Sequence, residues 1–244
     1  MTNVRQYKMN SVRVKKCEHK LPIINFDEYC NEAYMNTKEK KHSDLLPNNV
    51  RCIMCGPSNS GKTNVMMNLL FCPNGLRFEN VYVFSKSLYQ NKYEFLKQMI
   101  QSVGEVGYFP YSENDEVAHP NDVKNNSVII FDDVACEKQD NIRNYFTIGR
   151  HNNIDTFYLC QTYSRIPKQL VRDNANFLVL FKQDDRNLRH VYDDHVNTDM
   201  TFQRFKDICA QAWSDKHCFL VIDKERDLND GRYRVKFDQF ITDI

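Results

Sequence analysis

The sequence predicts an α/β domain with a mostly parallel central sheet, helices on both faces and a β-hairpin near its C-terminal end. Apolar runs of strand length alternate with segments of helical spacing, a glycine-rich loop joins the first such strand to the first helix, and two short strands flank an Asp230-Gly231 turn. Repeated strand, helix, strand order implies parallel pairing through crossovers. The chain has 244 residues, 41% hydrophobic and 12% aromatic, enough for one large domain with a full core.

The elements follow in order. Residues 1–46 read as a basic arm, in which Arg5, Lys8, Arg13, Lys15, Lys16 and Lys20 face a single acid, Glu18. Such an arm is either a solvated extension or a segment that touches phosphate or an acidic partner. Residues 47–244 then form one domain. RCIMC at 51–55 is a short apolar strand, and 62–71 has helical composition. A second strand at 81–85 leads to a helix over 88–100, and a third strand is expected near Gly107. After a polar, acidic loop, SVIIF at 127–131 is a buried strand ending in Asp132 and Asp133. A helix over 139–150 precedes a strand at 156–160, closed by Gln161. A short proline-opened helix at 167–172 leads to the strand NFLVLF at 176–181. Helices over 185–194 and 199–213 precede the hairpin strands 218–223 and 232–237.

Bulk properties exclude some classes. The apolar runs are far shorter than a bilayer span, which predicts no membrane association, and the polar, basic start lacks the pattern of a secretory signal. Nine cysteines without framework spacing suggest free thiols in a reducing compartment. Cys52 and Cys55 form a CxxC pair, but no companion pair completes a zinc site, so both are expected in the core.

The chemistry starts at GPSNSGKT, the residues Gly56, Pro57, Ser58, Asn59, Ser60, Gly61, Lys62 and Thr63. GxxxxGK[ST] between an apolar strand and a helix is a P-loop, whose glycines let backbone N–H groups turn toward phosphates at a helix N-terminus. Lys62 is expected to reach the β and γ phosphates of ATP, and the Thr63 hydroxyl to ligate Mg²⁺. VIIFDD supplies the matching acidic strand end, where Asp132 would hold Mg²⁺ and Asp133 would orient or deprotonate the attacking water. An amide at Gln161 can contact the γ phosphate or that water. Arg150 and Arg172, in the elements flanking the Gln161 strand, are preferred to Arg165 as the cation that neutralises transition-state charge, which in rings often comes from the neighbouring subunit. His151 is expected to pack rather than to act as acid or base.

Together the P-loop, the VIIFDD strand, the run GRHNNIDTFYLCQTYSRIPKQLVRDNANFLVLF and the closing hairpin resemble the genome-packaging ATPases of poxvirus-like large DNA viruses, virophages and polinton-type elements. These belong to the FtsK/HerA division of P-loop ATPases, and the resemblance covers roughly residues 49–240. It implies a RecA/FtsK-like P-loop NTPase fold and a motor that hydrolyses ATP with Mg²⁺. That motor would assemble as a ring homo-oligomer, a pentamer or hexamer, and drive double-stranded DNA into a preformed capsid through capsid vertex proteins. It also implies a place in the virion or at the viral assembly site. The length suggests no accompanying nuclease domain. Arg186 to His190 and the polar loop at 111–126 are candidates for DNA contact. The rival readings are a nucleotide kinase, a ring ATPase for DNA replication or transfer, and a nucleotide-binding assembly protein.

Overall fold

Strand β1 (Arg51–Cys55) alternates its side chains between two separate apolar cores, because successive residues of a strand point to opposite faces. Ile53 and Cys55 enter one core, and Cys52 and Met54 the other. The two CxxC thiols therefore lie on opposite sides of the sheet, both buried and free. A strand buried on both faces needs apolar residues throughout, which is why the runs read from the sequence are continuous rather than alternating.

The computed structural model describes residues 40–112, 117–132, 134 and 140–244; Asp133 and residues 1–39 of the basic arm lie outside them. Helix α1 (Lys62–Phe71) follows β1, then β2 (Asn80–Ser85), α2 (Asn91–Val103), β3 (Gly107–Tyr111) and β4 (Ser127–Asp132). Next come α3 (Asp140–Thr147), β5 (Ile154–Cys160), β6 (Phe177–Leu180), α4 (Asp185–His195) and α5 (Phe202–Ala212). The antiparallel strands β7 (Leu220–Asp223), β8 (Tyr233–Val235) and β9 (Gln239–Phe240) complete one nine-stranded sheet in the order β3-β2-β4-β5-β1-β6-β7-β8-β9. Strands β1 to β6 pair in parallel; β7, β8 and β9 pair antiparallel.

Helices cover both faces. Met66, Leu69 and Leu70 of α1 and Tyr93, Leu96 and Ile100 of α2 pack into one core. Ile142 and Phe146 of α3, Leu188 and Val191 of α4 and Phe205 and Ile208 of α5 pack into the other. The expected α/β architecture with a closing hairpin is thus the observed one. Differences are local. The helix expected from residue 88 begins at Asn91, because Gln90 is extended and serves as its N-cap. The proline-opened segment forms one π-type turn, Lys168–Arg172. Strand β9 is only two residues long, too short to leave a pattern.

Residues 40–46, read as part of the arm, belong to the same compact unit as the sheet. Asp155 in β5 is fully buried, and the reason it is tolerated lies in that segment. Its Oδ2 accepts from Lys41 Nζ at 2.7 Å and lies 3.1 Å from His42 Nε2, while its Oδ1 accepts from the Val50 amide at 2.7 Å. Buried Arg234 of β8 makes a second tie, donating to Asp223 Oδ2 and, at 2.6 Å, to the Leu45 carbonyl. A buried carboxylate must be paired to be affordable, and removing it strands the partners' donors. Asp155→Ala is therefore expected to lower unfolding stability by about 3–5 kcal/mol, read as a lower midpoint in urea; a midpoint unchanged from wild type would show that the 40–46 segment is not held this way.

Candidate active site

The strand register brings the candidate residues to one edge of the sheet. Cys55 pairs with Cys160 and Leu180, while Asp132 pairs with Leu159 and Ser85. Hence the residues that follow β1, β2, β4 and β5 emerge together at the C-terminal ends of parallel strands, where ligands of open α/β sheets bind. Because β5 stands between β1 and β4, Asp132 sits two inter-strand spacings, roughly 10 Å, from the P-loop strand. That gap is what a terminal phosphate, a metal ion and a water need.

A cleft of about 200 Å³ fills it, lined by Ser58 to Thr63 on one side and by Asp132, Cys160 and Gln161 on the other. The loop bends where its sequence permits. Gly61 has φ of 111° and Asn59 φ of 61°, both left-handed, and the Gly56 amide donates to Cys160 O at 3.1 Å. A Cβ on Gly56 would lie 2.6 Å from Phe181 Cβ and 2.7 Å from Ser60 Oγ, so only glycine fits. Gly61 is also the N-cap of α1, and it has no side chain with which to satisfy the orphan amides of the first turn, which carries no acid. By contrast α4 and α5 are capped by the side chains of Asp184 and Thr201. The uncapped α1 presents its positive end to the cleft.

Lys62 Nζ donates to the carbonyls of Gly56 at 2.7 Å and Pro57 at 2.9 Å. Those contacts hold the ammonium beside the cradle, within reach of an arriving phosphate. Thr63 and Asp132 contribute a hydroxyl and a carboxylate, the hard oxygen donors that suit Mg²⁺ alongside nucleotide phosphates. The Tyr93 hydroxyl donates to Asp132 Oδ2. Burial and the adjacent carboxylate push the Tyr93 phenol far above its usual range, so it remains a donor at every working pH. Burial and the neighbouring Cys55 likewise raise the Cys160 thiol, which keeps it from acting as a nucleophile.

Four residues at this cleft went unread in the sequence. Ser87, Gln90 and Lys92 line it, and Tyr93 fixes Asp132. They arrive because β2 lies beside β4, which brings the turn after β2 and the start of α2 over the Asp132 carboxylate. Nothing in a linear motif announces that neighbour relation.

The arginines are placed differently from expectation. Arg172 is 8% exposed, donates to Asp194 Oδ2 at 2.7 Å and sits over the Tyr163 ring. It lacks the exposure that a cation offered to another subunit requires. Buried His195 lies beside it, 2.7 Å from the Tyr163 hydroxyl, and burial plus the nearby cations lower its pKa to about 3. Arg150 is exposed but lies in the turn Gly149–Asn152 before β5, at the opposite end of the sheet from the cleft, near Arg51, whose pKa is lowered by burial first and by this neighbouring cation second. His151 in the same turn is exposed rather than packed. Arg165, in the turn Tyr163–Arg165 just past Gln161, is exposed at the cleft end. The general-base candidate Asp133 lies outside the described residues.

A strand inserted between the P-loop strand and the acidic strand, with an amide at its end, defines the additional-strand class of P-loop NTPase. Residues 37–238 match the family model described as poxvirus A32 protein. The chain belongs to that family, the packaging-ATPase line that its motifs resemble. No curated protein matches the sequence. Among solved structures, the genome-packaging NTPase B204 of Sulfolobus turreted icosahedral virus 2 in complex with sulfate is similar at 12% identity and TM-score 0.55, covering 78% of this chain and 96% of that one. The AMP complex of the same protein gives 12% identity and TM-score 0.54 over 78% and 98% of the two chains. The DNA-packaging ATPase B204 of Sulfolobus turreted icosahedral virus gives 13% and 0.50 over 76% and 95%. At these identities the likeness is one of fold.

Tyr93→Phe removes the hydrogen bond that orients Asp132 without removing the ring from the core. It is expected to raise the Mg²⁺ concentration for half-maximal ATP hydrolysis several-fold, and to weaken Mn²⁺ binding followed by electron paramagnetic resonance in the presence of nucleotide. Unchanged Mn²⁺ affinity would mean that Tyr93 only packs.

Proposed function

We propose that this chain is the motor that hydrolyses ATP to drive double-stranded DNA into a preformed viral capsid. One observation carries the reading: β5 separates β1 from β4, so that the P-loop, Asp132 and Gln161 face one another across a single cleft. Family membership and a fold shared with viral packaging NTPases support it. In this account the amides of Gly56 to Thr63 receive the phosphates, and Lys62 moves from its loop carbonyls onto the β and γ phosphates. Thr63 and Asp132 would hold Mg²⁺, which would supply neutralisation of the developing charge, and Tyr93 orients the Asp132 carboxylate through their hydrogen bond. Gln161 orients the water on the γ phosphate, and Asp133 accepts its proton.

The subunits form a ring. Arg165 is the better donor of a cation in trans than Arg150 or Arg172, since Arg172 is committed to Asp194 and Arg150 lies at the far end of the sheet. The ring docks on capsid vertex proteins; no helix among the described residues is long and apolar enough to cross a membrane. DNA contacts come from exposed cations directed at phosphate, Arg186 of α4 among them, and so are salt-dependent and indifferent to sequence. Arg189, also exposed, is stacked 3.6 Å from the Phe202 ring centroid.

Steady-state phosphate release should rise several-fold when linear duplex DNA is added, and Lys62→Ala should be inactive in both conditions. Turnover indifferent to duplex DNA would contradict a DNA-driven motor. Arg165→Ala is expected to lose roughly 10³-fold in kcat. Mixing it with Lys62→Ala should restore part of the activity, because a mixed ring pairs an intact P-loop with an intact arginine. Failure of the mixture to recover any turnover would place the cation elsewhere.

A further inference from the structure

The turn that carries Arg150 takes no part in the chemistry of the cleft, but it has cationic neighbours of its own. The starts of β5, β1 and β6 and the end of antiparallel β7 follow one another along the edge of the sheet away from the P-loop. Thr156 of β5 pairs with Arg51 of β1, and a Cβ on Gly149 would lie 3.9 Å from Thr156 Oγ1, which sets Arg150 beside the start of β1. Phe177 of β6 pairs with Asp223 of β7, so Lys224 emerges at the same edge.

The backbone beneath these cations is fixed. Asn176 Oδ1 accepts from the Arg51 amide at 2.8 Å, and the Asn176 carbonyl accepts from the Lys224 amide at 2.8 Å. Arg51 Nε donates to the Asn174 carbonyl at 2.7 Å. Among the described residues, the terminal nitrogens of Arg51, the Arg150 guanidinium and the Lys224 ammonium have no hydrogen-bond or ion-pair partner. Two exposed acids stand nearby, Asp173 and Glu225, and Glu225 Oε1 is engaged by Asn176 Nδ2 at 2.5 Å. Lys224 is half-buried, and its pKa is lowered by burial first and then by Arg232 and Arg51. Partial burial of an unpaired cation costs desolvation, which an external anion at this edge would offset.

The shape of the array selects the anion. From β5 to β7 it crosses three inter-strand spacings, roughly 15 Å, as a row rather than a pocket. Duplex DNA, with one negative charge per about 1.7 Å of axis, offers successive phosphates over that span, which a single small anion does not. We infer that Arg150, Arg51 and Lys224 contact the phosphodiester backbone of duplex DNA at the end of the sheet opposite the nucleotide cleft. The inference rests on the DNA-motor reading and adds to it a surface, remote from ATP, that holds DNA without reading its bases.

Fluorescence anisotropy of a labelled linear duplex, titrated over a series of salt concentrations with a non-hydrolysable ATP analogue present, measures both the affinity and its salt dependence. Arg150→Gln and Lys224→Gln are each expected to weaken binding several-fold, equally for duplexes of unrelated sequence, and to reduce the slope of log K against log salt by about 0.9. Arg150→Lys, which keeps the charge, should retain the wild-type slope. Arg150 is exposed, so its replacement tests the contact without disturbing the core, and thermal midpoints matching wild type confirm this. The inference is overturned if either glutamine variant keeps the wild-type affinity and slope. It is equally overturned if the variants lose DNA-free ATP turnover at unchanged DNA affinity, which would assign the cations to the phosphates of a neighbouring subunit's nucleotide. Wild-type protein that binds no duplex at any salt concentration would instead remove the motor reading beneath it.

Discussion

Parallel pairing of β5 with both β1 and β4 is the constraint on which the rest of this molecule depends. Five residue pairs join β5 to β1 and six join it to β4, and the Gly56 amide adds one more bond, to the Cys160 carbonyl, where the P-loop begins. That last bond couples the loop's first turn to the residue before Gln161. If β4 lay directly beside β1, the acid would stand about 5 Å closer to the phosphate cradle. The amide would then have no place between them. The width of one strand thus sets the room available for the chemistry.

The same strand is anchored at its other end by a buried charge. Asp155 ties β5 to residues 41 and 42 and to the start of β1, while Arg234 ties the closing hairpin to residue 45. Both anchors use the short segment ahead of β1, which accordingly acts as a clasp between the centre of the sheet and its antiparallel edge. The buried ion pairs of Asp155 and Arg234 hold the fold away from the cleft, while at the cleft Tyr93 steadies Asp132. Arg172, Asp194, Tyr163 and His195 form a third such structural knot.

Much of this was legible in the sequence, and the exceptions share a cause. The P-loop residues, Asp132 and Gln161 each sit at the end of an apolar run, so their arrival at one edge of a parallel sheet follows from strand order alone. Strands β1, β2 and β4 to β6 could be read because burial on both faces demands unbroken apolar residues. By contrast Ser87, Gln90, Lys92 and Tyr93 reach the site only through the pairing of β2 with β4, a relation between segments some forty residues apart. Arg172 resembled an exposed cation because its partner, Asp194, comes from a helix beyond the next strand. His42 and Lys41 looked like part of a solvated arm for the same reason, since the acid that binds them lies in β5.

The most direct test of this account is the structure of the protein with a non-hydrolysable ATP analogue and Mg²⁺. Lys62 is expected to leave the Gly56 and Pro57 carbonyls for the β and γ phosphates, Thr63 and Asp132 to hold the ion, and Gln161 to face the γ phosphate across the cleft. Phosphates seated away from the loop, or an ion bound without Asp132, would contradict it.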